Sequence, residues 1–221
     1  MSLMKHAPAA LAALVLAMSP AMAQGTPTQP FVFDNGQLVL ETLGQRLAMP
    51  LPSWVEDASD LATLAEQVSA RFVEERTQAH LEIYRRGEGE AFWSTLYGAR
   101  VSNQADMSLA DFRALVINVY AQSCDPETVA LFQLEPDGED KLPPLGYVCG
   151  AYLDSFTDFA GQGEVMVVGF YKSEKGVGMV YQEWRGDAFD ATNPASWPVP
   201  GNVVEEHMAR LASEVTLSVA D

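Results

Sequence analysis

Downstream of residue 30, apolar side chains recur either at every second position or at every third to fourth, and the two periods take turns. Phe31-Val32-Phe33 leads into Asp34-Asn35-Gly36, a strong turn signal, and Gln37 to Glu41 alternates as a short strand. Leu47 to Pro52 reads as extended, and its two prolines place it at a sheet edge or outside the sheet. Ser59 or Asp60 caps a predicted first helix. Leu61, Leu64, Val68 and Phe72 form its apolar stripe, and it ends near Arg76 or Thr77. His80 to Tyr84 alternates as a strand, Gly87-Glu88-Gly89 turns the chain, and Ala91 to Val101 returns as the second arm of a hairpin.

Ser108 is a natural N-cap for a second helix, with Asp111 at the capping-box position and Leu109, Phe112, Val116, Val119 and Tyr120 along one side. Thr128 to Leu134 and Gly146 to Leu153 read as strands. Glu164 to Tyr171 and Val177 to Arg185 form the clearest hairpin, joined by the five residues Lys172 to Gly176. The near-continuous apolar run around Val165 predicts a central strand covered on both faces. Asn202 to Glu205 has the form of a capping box, and Val204, Met208, Leu211 and Val215 stripe a last helix.

Consecutive hairpins require antiparallel pairing, and the helices between them must cover the sheet. The expected fold is one α+β domain over residues 31–221, a mainly antiparallel sheet with covering helices in an α/β/α layered sandwich. The extended Leu47-to-Trp54 segment, the early helix and the late helix after a long hairpin resemble the PsbP-like α/β/α sandwich superfamily in their order. No single motif carries that resemblance. It implies a binding or assembly role, because members of that superfamily are mostly accessory or interaction proteins.

Residues 1–23 stand apart. Lys5 and His6 precede an apolar run from Ala9 to Ala17, Ser19-Pro20 breaks it, and Ala21-Met22-Ala23 supplies small residues before Gln24. That is the layout of a secretory signal peptide, with residues 24–30 a flexible leader behind it. The expected location is periplasmic or secreted, with no membrane span in the mature chain.

Export changes the meaning of Cys124 and Cys149, the 2 cysteines of the chain. In an oxidising compartment the pair reads as a disulfide, with roughly 3.5 kcal/mol from loop closure. A zinc site with the histidines or a catalytic thiol are the alternatives, but there is no CxxC. The 221 residues carry 30 acidic against 13 basic side chains, a net charge of -17. Such a chain is a poor partner for nucleic acid and for anionic lipid.

Candidate chemistry is sparse. His80 shares a strand face with Glu82 and Tyr84 and could serve acid–base work or a metal. His207 borders the last helix's stripe and reads as a surface or boundary residue. Glu135, Asp137, Glu139 and Asp140 could offer calcium oxygens, although not in EF-hand register. Gly161-Gln162-Gly163 precedes a strand instead of opening a helix, so it reads as a turn and not a phosphate grip. In Tyr181-Gln182-Glu183-Trp184-Arg185, parity puts Tyr181, Glu183 and Arg185 on one face and Trp184 on the other. The first three form either a groove or an exposed Glu183–Arg185 pair. Trp197 either plugs the domain edge or anchors a partner. No catalytic, cofactor-binding or metal-binding residue is assigned, and no cofactor is expected. The expected function is a secreted or periplasmic non-enzymatic binding or assembly-accessory protein. Its partner is another envelope or secreted protein, or a small ligand. The alternatives are a small hydrolase using His80 and nearby carboxylates, and a calcium-binding exported protein using the acidic turn from Glu135 to Asp140.

Overall fold

A computed structural model describes residues 31–220 apart from Asp57, Ser59, Glu139, Asp140 and Thr157. The expected signal peptide and leader lie outside the described residues. The described residues form two antiparallel sheets and three α-helices, an α+β arrangement. The smaller sheet has the order β1-β2-β3-β11, from Phe31–Asp34, Gln37–Thr42, Gln45–Met49 and Thr216–Val219. The larger has seven strands in the order β4-β5-β6-β10-β9-β8-β7. These are Val68–Glu74, Gln78–Arg85, Thr95–Ser102, Gly176–Asp187, Gln162–Ser173, Leu145–Cys149 and Val129–Gln133. Helix α1 is Leu61–Gln67, α2 is Leu109–Ala121 and α3 is Gly201–Glu214.

The long hairpin forms the middle of the large sheet. Strand β9 lies between β10 and β8 and is buried from Gly163 to Phe170, which accounts for its two-sided apolar sequence. Its connection to β10 is tighter than expected: pairing runs out to Ser173 and Gly176, leaving Glu174-Lys175 at the turn. Alternate residues of the sheet enter two cores. Leu81, Ile83, Tyr97, Val165, Val167, Val180 and Trp184 pack with α3 and the small sheet. Tyr84, Leu96, Met166, Val168, Met179 and Tyr181 pack with Phe112 and Val116 of α2.

Three expectations give way. The first helix stops at Gln67, and Val68 to Glu74 is strand β4, paired along β5 from Val68 opposite Arg85 to Glu74 opposite Ala79. Val68 and Phe72 are four apart, a spacing that fits both a helix face and one face of a strand, so periodicity did not separate the two. Pairing with β5 decided it. Strand β3 is internal, hydrogen-bonded to β2 and to β11 on its two sides, and its prolines fall just past its end. Helix α3 begins after Pro200 with no side-chain cap, so the Asn202–Glu205 box does not form. Pro200 presets the backbone angle for helix entry in its place.

Cys124 and Cys149 are bridged, with their Cα atoms 5.7 Å apart, and the bond pins the chain just after α2 to the end of β8. Among the described residues, no helix is long and apolar enough to cross a membrane.

Candidate functional site

Every second residue of β10 builds one surface. Tyr181 lies opposite Gly98 of β6, Glu183 opposite Leu96, and Arg185 opposite Glu164 of β9. Gly98 matters because a Cβ there would collide with the Tyr181 ring and lie 2.9 Å from the Leu81 carbonyl oxygen. With no side chain at 98, the Tyr181 ring crosses β6 and its hydroxyl reaches His80 Nε2 on β5 at 2.8 Å. Arg100 Nε also approaches that nitrogen, at 3.4 Å, and Glu82 Oε1 lies 3.5 Å away. Two donors on Nε2 fit a neutral ring protonated on Nδ1. Burial, then the charge of Arg100, push the His80 pKa down to about 4, against the opposing pull of Glu82. Glu82 itself accepts from the Tyr84 hydroxyl at 2.7 Å and from Arg71 at 3.0 Å.

At the other end of the surface, the Arg185 guanidinium is held in an aromatic stack. Its central carbon lies 3.5 Å from the Trp93 ring centre, 4.1 Å from that of Phe159 and 5.5 Å from that of Tyr152. Stacking and burial keep a flat cation in one orientation. One of its terminal nitrogens donates to Glu164 at 3.2 Å, and Glu164 also accepts from the Tyr152 hydroxyl. Burial raises the Glu164 pKa while Arg185 and Tyr152 pull it back. The expected alternative of an exposed Glu183–Arg185 pair is therefore replaced. Arg185 pairs across the sheet with Glu164, whose side chain is buried while that of Arg185 is 10% exposed.

Glu183 is 3% exposed. Its Oε1 accepts from the Tyr120 hydroxyl at 2.6 Å, and among the described residues no cation lies within ion-pair distance. A buried carboxyl without a cation is cheapest in its neutral form. Burial, reinforced by the charge of Glu164, drives its pKa well above the ordinary value.

Arg100, Tyr120, Tyr152, Glu164, Glu183 and Arg185 line a cleft of about 420 Å³ between the end of α2 and Tyr152, Phe156 and Phe159. Glu164, Glu183 and Arg185 lie on the sheet side, and Val119, Phe156 and Phe159 provide apolar wall. Val119 and Phe156 are exposed at 51% and 41%, so apolar surface extends to the rim. Arg100 also borders a smaller hollow of about 230 Å³ that includes His80 and Arg71. The Cys124–Cys149 bridge ties the α2 end to β8 beside this cleft, and the Leu153 N–H donates to the Ser123 carbonyl at 2.9 Å.

The other sequence candidates scatter. His207 is 1% exposed, not a surface or boundary residue. Its ring packs edge-on against Tyr97 and Trp184, with neither nitrogen hydrogen-bonded among the described residues. The α3 stripe turns further round than expected and takes it inward. In the acidic turn, Asp137 accepts both guanidinium bonds of Arg113, at 2.9 and 2.6 Å, while Glu139 and Asp140 lie outside the described residues. Among the described residues, no three His, Cys, Asp or Glu side chains gather closely enough to hold a metal. Trp197 stacks on Phe132 of β7, with ring centres 5.6 Å apart. Gly161 has a positive φ of 79° and makes the turn into β9.

Sequence reasoning missed Trp93, Tyr120, Tyr152 and Glu164. Glu164 did carry a signal: it shares strand parity with buried Met166, Val168 and Phe170, where an acid is out of place. The two tyrosines and the tryptophan carried none beyond their apolar bodies, since they come from three separate segments. Compared with known proteins, the chain matches no family model and no curated protein.

Proposed function

We propose that this chain is a periplasmic or secreted, non-enzymatic binding protein whose small ligand sits in the cleft over β9 and β10. The observation that carries the reading is the arrangement of the cleft's polar groups. Arg185 is stacked and paired, Glu164 accepts from Tyr152 and Arg185, and Glu183 accepts from Tyr120, all in contact with a buried sheet. A binding site gains from groups already held in place, because little ordering cost remains when the ligand arrives. The Cys124–Cys149 bridge favours an oxidising compartment and supports the exported location. Helices packed on both faces of the large sheet favour an α/β/α-type layering, with the second sheet sharing one layer with α3. That layering and the PsbP-like order of elements agree with an accessory or binding role.

The hydrolase alternative has less support. The His80 Nε2 that a general base would use already faces the Tyr181 hydroxyl and Arg100. Hydrogen exchange in the presence of a panel of small organic molecules tests the choice. The expected result is saturable protection in residues 119–123, 152–164 and 183–185. Turnover of an ester, glycoside or peptide substrate that H80A abolishes would overturn it in favour of hydrolysis.

A further inference from the structure

Glu164 Oε2 accepts from Arg185 and Tyr152, and Glu183 Oε1 accepts from Tyr120. Guanidinium donors of the cleft remain open. Arg100 is exposed, has no carboxylate within 4.0 Å among the described residues, and makes only the long contact to His80. The Arg185 Nε is buried with no partner among the described residues. Glu183, buried with no cation within 4.0 Å among the described residues, offers a hydroxyl on its second oxygen in the neutral form that its burial favours. The aromatic stack is closed to a ligand cation, because Arg185 already fills it. With Glu183 neutral, two guanidinium groups face one carboxylate, which leaves the cleft one positive charge in excess.

Resting on the reading of this cleft as a binding site, we propose that its ligand is a small organic monocarboxylate with an apolar body. The carboxylate is held by Arg100 and the second oxygen of Glu183, and the body lies against Val119, Phe156 and Phe159. A single excess positive charge matches a monoanion and not a phosphate dianion. The apolar wall and rim match a hydrocarbon or aromatic body, and a volume of about 420 Å³ limits it to a small molecule.

The test is titration of the disulfide-bonded protein, followed by NMR of the cleft residues. The probes are phenylacetate, hexanoate, phenylacetamide, phenethylamine and a tetrapeptide ending in phenylalanine. Both acids should shift residues 119–123 and 183–185 and bind at least about tenfold more tightly than the amide. R100Q should weaken the acids about tenfold, and the variant is not expected to misfold because Arg100 is exposed. E183Q should weaken them far less than E183L, since an amide reproduces the donor of a neutral acid. Cleft shifts from the amide or amine, with the acids silent, overturn the monocarboxylate and leave a binding cleft. Tighter binding of the tetrapeptide than of phenylacetate overturns the small ligand in favour of a chain terminus. No cleft shift from any probe overturns the proposal and counts against the binding reading as well.

Discussion

Two single residues carry consequences out of proportion to their size. Gly98 has no side chain, and that gap allows the Tyr181 ring to reach His80. Gly98→Ala should force the ring aside and cost about 1–3 kcal/mol, read by urea denaturation; an unchanged midpoint would contradict the contact. His207 is a polar ring in an apolar core with both nitrogens unpartnered among the described residues. Burial, then Arg210, lower its pKa to about 3 from an ordinary 6.5. Between those values the unfolded chain binds the proton and the native protein does not. The stability that this neutral ring allows is therefore complete above about pH 6.5 and is lost as pH falls toward 3. His207→Phe should raise stability by about 1–3 kcal/mol near neutral pH, because no buried nitrogen is left without a partner. It should also shallow the acid limb of thermal melts. His80, whose pKa falls to about 4, contributes to the residual acid loss. A variant that melts lower than the parent at pH 5 would count against this account.

Among the elements, the segment after α1 shows how pairing overrides local pattern. Val68 and Phe72 satisfy either period, and the backbone groups of β5 supply the partners that make them strand. Strand β11 was not foreseen either, since Thr216–Val219 is short and largely exposed and gains its identity from hydrogen bonds to β3. The disulfide acts at the same scale. It joins the segment after α2 to β8, next to the cleft wall that carries Val119 and Tyr120. The double variant C124S/C149S should lose about 2–4 kcal/mol of stability. It should also show faster hydrogen exchange in residues 119–124 than in β9. Uniform acceleration over the whole chain would instead mean that the bridge acts only on the unfolded state.

At the level of the whole molecule, the two cores and the excess acid set the conditions under which the protein holds together. A net charge of -17 repels itself, and the screening of added salt should relieve part of that repulsion. The buried acid Glu183 runs against the histidines. Its pKa is raised, so its contribution to stability is complete below the ordinary 4.5 and is lost as pH rises toward the native value. Stability should therefore fall on both sides of an optimum, with histidine on the acid limb and Glu183 on the alkaline one. E183Q should melt progressively higher than the parent between about pH 5 and pH 8, and a pH-independent difference would defeat this assignment. Much of this molecule could be read before any fold was in view. Near-neighbour patterns name the antiparallel hairpins, the three helices and the parity that puts Tyr181, Glu183 and Arg185 on one face. The chain's 2 cysteines, an even pair with no CxxC, point to their own pairing. Other properties depend on which segments meet. Parity cannot say that Arg185 would choose Glu164 over Glu183, because that partner lies on the neighbouring strand. Nor can it tell that Trp93, Tyr120, Tyr152 and Phe159, drawn from separate loops and a helix, would close around them. Local sequence constrains what a residue's near neighbours can do, while burial and charge in a cleft depend on groups far apart along the chain.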